Sequence, residues 1–442
     1  MTSSCCVLKP DGDREVVTLK RAHEIINVWN SSNLENVTSI DLSNKSYTLE
    51  AAQVLMGYLT NNNLLANVVV ANLSDMIASR MEEEGLAVLK HVCDTVALQC
   101  PLLESVDLSD NAMGSKGISA CEAVFTQCTK LHSVQLCNNG LAEHTMDQVV
   151  ELLTAESMAA RLQRVHFYNN MSGHGGCVAF CKLLRHCNGY SLTNVRFSGT
   201  RADRPGSLLV VEAMHAFSQW NVSWLDLADN TFGKEGGAVL AQVLSKCTNL
   251  TYLNIRDCCL DDMSIFVSIC KALIYSKCPL EYLNVSGNDL TLKGAQLGLV
   301  PLMQAKKCTL KSIHVEENDL TSRGVECLAA TVSPLLQDIN LATNQCGSSG
   351  ARAWIAARDK MPNLQLLNLD GNAIPDHVVR EMEAVFGEVL VDMVDNEGDN
   401  DADDDLTEAE EDDDNDELVE SDTEADKVEM GNLAAEFEHA NI

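Results

Sequence analysis

The 442-residue sequence predicts an α/β solenoid made from one repeated unit, followed by an acidic appendage. Three observations predict it. A template of apolar-x-x-apolar-x-apolar-x-x-Asn recurs along most of the chain. Each copy leads into a stretch with apolar residues three and four apart, the spacing of one helix face. Near residue 391 this periodicity gives way to a run of acidic charge.

The template occurs at Leu103/Val106/Leu108/Asn111, Leu131/Val134/Leu136/Asn139, Leu162/Val165/Phe167/Asn170 and Val222/Leu225/Leu227/Asn230. It returns at Leu280/Leu283/Val285/Asn288, Leu310/Ile313/Val315/Asn318, Leu336/Ile339/Leu341/Asn344 and Leu364/Leu367/Leu369/Asn372. Two copies end on Thr200 and Cys258 instead, and two looser ones open the array near Val37/Ile40/Leu42 and Val68/Ala71/Leu73. Successive starts lie 26 to 31 residues apart from Leu103 onward, and 31 and 35 before it. This is the leucine-rich repeat in its long form, in about twelve units.

Each part of the unit has a physical reason. The apolar-x-apolar core is a short strand with one buried face. The Asn that follows can bond backbone groups of neighbouring turns, so a stacked column of Asn satisfies buried backbone. Small residues and Gly then turn the chain into a helix, as at residues 231–244. A helix is wider than a strand, so stacking curves the array into a horseshoe, with parallel strands on the concave side and helices on the convex side.

The expected organisation is an N-terminal helical cap over residues 1–36, with its helix at 15–29. A repeat array follows over 37–390, closed by a last helix at 378–389, and then an acidic tail over 391–442. Between Asp392 and Glu429 there are 21 Asp/Glu and one Lys, which is -20 of the net -33. So much like charge with so few aromatics cannot bury enough surface to fold, so the tail is expected to be disordered. It suits solubility and faster encounter with a basic surface. Thr407, Ser421 and Thr423 are candidate phosphorylation sites within it, and 433–437 forms a short amphipathic stretch.

The charge balance opposes phosphate-backbone binding, which needs clustered Lys/Arg, and opposes an anionic membrane surface. No apolar run approaches the roughly 18–20 residues of a membrane span, so membrane insertion is not expected. No secretory signal follows Met1. The 18 cysteines fall mostly inside apolar helical patterns and read as reduced, buried thiols of a cytosolic protein. No CxxC pair or HExxH occurs, and no GxxxxGK[ST], GxGxxG or GxSxG, so no metal, cofactor or substrate chemistry of its own is expected.

The solenoid architecture favours binding, through a large surface and rim loops. The residue before each column position lies at the strand-to-helix turn and points away from the column. Asp110, Asn138, Asn169, Asp229, Asp257, Gly287, Glu317, Thr343 and Gly371 occupy it, a mostly polar and acidic rim. Asn139 is structural by period, whereas Asn138 is free to reach a partner. The segment from Ser74 to Glu84 replaces the usual turn with a longer loop carrying Arg80, at the widest repeat spacing, and an insertion in a rim loop suggests function. The bland alternative pairs Arg80 with Glu82 to Glu84.

Residues 74–84 (SDMIASRMEEE), 106–114 (VDLSDNAMG) and 136–141 (LCNNGL) resemble the Ran GTPase-activating proteins. Residues 166–173 (HFYNNMSG) and 40–46 (IDLSNKS) resemble the plant members in particular. The resemblance covers residues 37–430 and implies an activator that binds Ran in its GTP-bound form, with a Ran-binding protein as an accessory. It would sustain the Ran gradient for nucleocytoplasmic transport as a monomer without nucleic acid. It further implies that Asn138 positions Ran's catalytic Gln. Arg80 is then required at the interface without serving as an arginine finger. Asp75, Asp110, Asn169, Asp229 and Asp257 are the partner-facing candidates. The N-terminal Trp-Pro-Pro targeting motif of plant members is not in these residues, so a cytoplasmic location is expected, with the nuclear envelope as the alternative. The competing readings are a non-catalytic scaffold of the ribonuclease-inhibitor type and an acidic histone-binding repeat protein.

Overall fold

The structure, a computed structural model, describes residues 6–32, 34, 36–155 and 158–398. They group into two compact units, one of residues up to 236 with 252–258, the other of 237–251 with residues from 259 onward. Most of the acidic tail, with Thr407, Ser421, Thr423 and the stretch 433–437, lies outside the described residues.

In the first unit one parallel sheet runs from Cys6–Leu8 through Val37–Asp41, Val70–Asn72, Ser105–Asp107 and Ser133–Gln135. It continues through Arg164–Tyr168, Asn194–Ser198, Trp224–Asp226 and Tyr252–Asn254. The register aligns the central apolar residue of each template: Ile40, Ala71, Val106, Val134, Val165, Val195, Leu225 and Leu253 form one continuous buried row. Parallel neighbours need a long crossover. Each repeat supplies it as a helix, and successive helices such as Glu82–Gln99, Gly114–Gln127 and Glu143–Thr154 pack side by side. Where the template carries Phe instead of Leu, Phe180 of the helix Gly173–His186 meets Phe167 edge-on at 6.0 Å and stacks on Phe197 at 4.3 Å.

The second unit repeats the arrangement. Its strands Tyr282–Asn284, Ser312–His314, Asp338–Asn340 and Leu366–Asn368 align Leu283, Ile313, Ile339 and Leu367. The expected leucine-rich-repeat solenoid is therefore what the chain forms. Its last helix is Asp376–Phe386, continued by a 3-10 turn at Gly387–Val389.

The amino-terminal cap is more than a helix. Its helix is Leu19–Asn30 rather than 15–29, because Thr18 serves as N-cap and accepts from the Arg21 N–H. Ahead of it, Cys6–Leu8 adds an edge strand to the sheet, and Val16–Val17 pairs with Ser46–Tyr47. Lys45 occupies the column position of the first repeat and is only 2% exposed. Its ammonium donates to the carbonyls of Asp11, Gly12 and Asp13 and to Glu15, tying the cap to the array.

The Asn column does what its period requires. The Nδ2 of Asn111 donates to the carbonyls of Leu73, Leu108 and Ser109, while its Oδ1 accepts from the Met76 N–H. Asn139 accepts from the Asn111 N–H at 2.9 Å, and Asn170 accepts from the Asn139 N–H at 3.1 Å. Asn230 keeps its Nδ2 bonds to the carbonyls of Phe197 and Leu227. Next to it Cys258 substitutes a thiol that donates to the Leu227 carbonyl. In the second unit Asn318 accepts from the N–H groups of Asn288 and Leu290, and Asn372 from those of Asn344 and Cys346. Among the described residues all seventeen cysteines are free thiols. Among the described residues there is no His/Cys/Asp/Glu group able to hold a metal, and no helix long and apolar enough to cross a membrane.

Candidate functional site

The rim is built by a backbone rule. The residue before every column position has positive φ: Asn44, Asp75, Asp110, Asn138, Asn169, Gly199, Asp229, Asp257, Gly287, Glu317, Thr343 and Gly371. Left-handed backbone costs an ordinary L-residue roughly 1–2 kcal/mol, and Asn, Asp and Gly bear it best. That cost explains why these residues dominate the rim. The same twist separates neighbours: Asn138, at φ 52°, is exposed, and Asn139 is fully buried.

Three rim side chains form a ladder. Asn138 Nδ2 donates to Asp110 Oδ1 at 2.8 Å, and Asn169 Nδ2 donates to Asn138 Oδ1 at 2.9 Å. The amide of Asn138 is thereby fixed in plane, with one N–H and one acceptor position still directed to solvent. Asp229 and Asp257 make a separate acidic pair farther along. Desolvation first, and then the charge of Asp257, raise the carboxyl of Asp229. Arg256 donates to Asp257 at 2.9 Å. Asp75 sits differently from the other candidates, since Arg14 of the cap pairs with it at 2.9 Å.

The loop 74–81 precedes the 18-residue helix Glu82–Gln99, so the wide repeat spacing is divided between a longer turn and a longer helix. Glu82, Glu83 and Glu84 occupy the first helical turn, where carboxylates suit the dipole. Arg80 is mostly covered, its side chain 16% exposed. Its Nη1 lies 3.7 Å from Glu84 Oε2, an ion-pair distance but too long for a hydrogen bond. Its Nε is buried without a hydrogen-bond partner. Glu82 pairs with Lys116 instead. A cleft of about 700 Å³ opens here, lined by Arg80, Met81, Asp110, Ala112 and Lys116 among others. Arg80 and Asp110 therefore meet in one cleft, and the ladder carries the site on to Asn138 and Asn169.

Sequence reasoning missed the solvent face of the sheet. There Arg196 lies 3.6 Å over the ring of Tyr168 and pairs with Asp226 at 3.1 Å. Trp224 stacks on His166 at 5.0 Å and on Tyr252 at 4.5 Å. Burial, with Arg164 and Arg196 nearby, pushes His166 down to about 4 despite its bond to Asn194. The signal was available: these are the solvent-side strand positions, alternate to the apolar ones.

A leucine-rich-repeat family model matches residues 99–120, 246–263, 276–297 and 306–329. The chain is 25% identical over 283 residues to Ran GTPase-activating protein 1 of Saccharomyces cerevisiae, a match covering 61% of this chain and 68% of that protein. It is 36% identical over 109 residues to RAN GTPase-activating protein 2 of Arabidopsis thaliana, covering 25% of this chain and 19% of that protein. Among solved structures it resembles one of the Rad7 and Elc1 complex in yeast, with a TM-score of 0.51 at 16% identity over 85% of this chain and 93% of that one, a likeness of fold alone. The chain is thus a leucine-rich-repeat solenoid with sequence similarity to Ran GTPase-activating proteins.

Proposed function

We propose that this protein is a GTPase activator for Ran·GTP, acting in trans by positioning Ran's catalytic machinery. The observation that carries the reading is the Asp110–Asn138–Asn169 ladder. It holds an uncharged amide outside the array with one donor and one acceptor unspent. Such a group can fix a glutamine side chain and the water it orients, and catalysis by positioning needs that rigidity. The similarity to the yeast and Arabidopsis proteins supports the choice of Ran. Arg80 is covered within its cleft and only loosely paired. That suits a guanidinium that grips a partner carboxylate in two places better than a finger reaching a nucleotide. Asp110 and Asn169 offer acidic and amide contacts along the ladder, and Asp229 and Asp257 offer a separate acidic pair farther along the rim, while Asp75 reaches a partner only if Arg14 moves. The working form is a soluble cytoplasmic monomer.

The test is phosphate release from Ran·GTP with the protein at substoichiometric amounts. Multiple turnovers of acceleration are expected. Tight binding without acceleration would instead support a non-catalytic scaffold and overturn this reading.

A further inference from the structure

The net charge of -33 conceals a basic segment. Residues 161–206 contain seven Lys/Arg and one acid, a net of +6. Arg164, Arg201 and Arg204 are exposed and make no ion pair among the described residues. Arg164 shares the solvent side of its strand with His166, and Arg196 is the register partner of His166 on the next strand, while Asp226 offsets only Arg196. Arg201 follows the column residue Thr200 in left-handed backbone, and Arg204 opens the helix Arg204–His215 against the turn at Gly233, so both border this face at its rim. The same sheet face presents Tyr168, 39% exposed, and the stacked set His166, Trp224 and Tyr252. Planar aromatics with arginines are what interface centres are made of.

We propose that this face is the docking site for the chain's own acidic segment, residues 399–429. That segment holds 18 Asp/Glu and one Lys, and it carries a short apolar step at Leu418 and Val419. Charge complementarity favours the location, because residues 1–160 and 207–236, which flank it in the same unit, are net acidic and repel the segment. Because the segment belongs to the same chain, the docking is intramolecular, so weak individual contacts suffice. The arginines attract the carboxylates, and Tyr168, the exposed member of the aromatic set, receives the apolar step. Screening over a Debye length of about 8–10 Å near physiological salt makes the contact salt-sensitive. Docking here is independent of the GTPase reading, and its failure would leave that reading intact.

The experiment follows the backbone ¹⁵N transverse relaxation of residues 399–429 in the full-length chain. At low salt the rates should be at least twofold above those in about 0.5 M salt, which screens surface charge. The double variant Arg164→Glu/Arg201→Glu should bring them down at low salt. A control at exposed lysines elsewhere, Lys293→Glu/Lys307→Glu, should leave them high. Rates that ignore salt overturn the proposal, as does an equal fall in both variants. Elevated rates that scale with protein concentration overturn it too, because the occupant would then be the segment of a second copy.

Discussion

Asn138 and Asn139 are consecutive residues that use the same amide on opposite sides of one backbone. Asn138 bonds two rim neighbours in solvent, and Asn139 accepts the Asn111 N–H and donates to the Leu108 carbonyl in the buried column. The left-handed φ of 52° at Asn138 sends the two side chains apart.

Mutating the pair should split activity from stability. Asn139→Ala strands the buried N–H of Asn111, because the Leu108 carbonyl keeps its bond from Asn111 Nδ2 but the N–H has no substitute. A cost of about 1–3 kcal/mol follows, read as a lower urea midpoint. Asn138→Gly keeps the left-handed backbone and removes only exposed bonds, so its midpoint should move by less than about 1 kcal/mol. In that variant the stimulation of Ran·GTP hydrolysis proposed for this chain should fall on the order of a hundredfold, the usual loss for one preorganised catalytic donor. Full activity in Asn138→Gly would place the positioning group elsewhere.

At Arg80 the comparison is between charge and geometry. If the planar fork grips a carboxylate, Arg80→Lys retains the charge yet should recover little of the activity lost in Arg80→Ala. Thermal midpoints of both should stay close to wild type, since the Glu84 contact is long and partly solvated. A Lys variant with wild-type rates would show that charge alone matters there.

How far the sequence carried this structure depends on the residue. Val134 and Val165 were legible, because a fixed period with a buried position leaves one arrangement. The Asn column was legible for the same reason. The edge strand Cys6–Leu8 was not, since it lacks the template and forms by pairing with Val37–Asp41. Nor was the fate of Asp75, which depends on Arg14, 61 residues away in the chain. The basic run 161–206 could have been counted, but the far larger acidic run dominates any total. The Asp110–Asn138–Asn169 bonds join three repeats and depend on a shared backbone conformation that no single turn announces.

The cap should be acid-sensitive. Burial by itself would raise Glu15, but its bonds to Lys45 and Arg21 outweigh this and leave its carboxyl below the ordinary 4.5. A depressed folded value means the contribution is present above the unfolded value and is lost as pH falls through the folded one. Hydrogen exchange over residues 6–30 should therefore quicken as pH drops below about 4, after correction for intrinsic rates. Lys45→Met should weaken the cap already at neutral pH, by about 2–4 kcal/mol of local stability, because several carbonyls and Glu15 lose a covered cation. It should also flatten the acid response. An unchanged response in Lys45→Met would assign the acid sensitivity to another carboxylate.

The rim rule predicts a stabilising change. Thr343 stands at a left-handed position, φ 54°, with a β-branched side chain, whereas most equivalent positions hold Asn, Asp or Gly. That geometry is among the costliest for such a residue. Its side chain faces Gly371 of the next repeat closely enough that a Cβ there would meet Thr343 Oγ1 at 2.7 Å, so Gly371 must stay small. Replacing Thr343 with Asn relieves the backbone, and should raise unfolding stability by about 0.5–1 kcal/mol. The site lies far along the sequence from Asn138, so the proposed stimulation of Ran·GTP hydrolysis should not change. The converse substitution, Asn138→Thr, should lower both stability and activity. A stability loss in Thr343→Asn, measured by urea denaturation, would mean that the contact with Gly371 outweighs the backbone term.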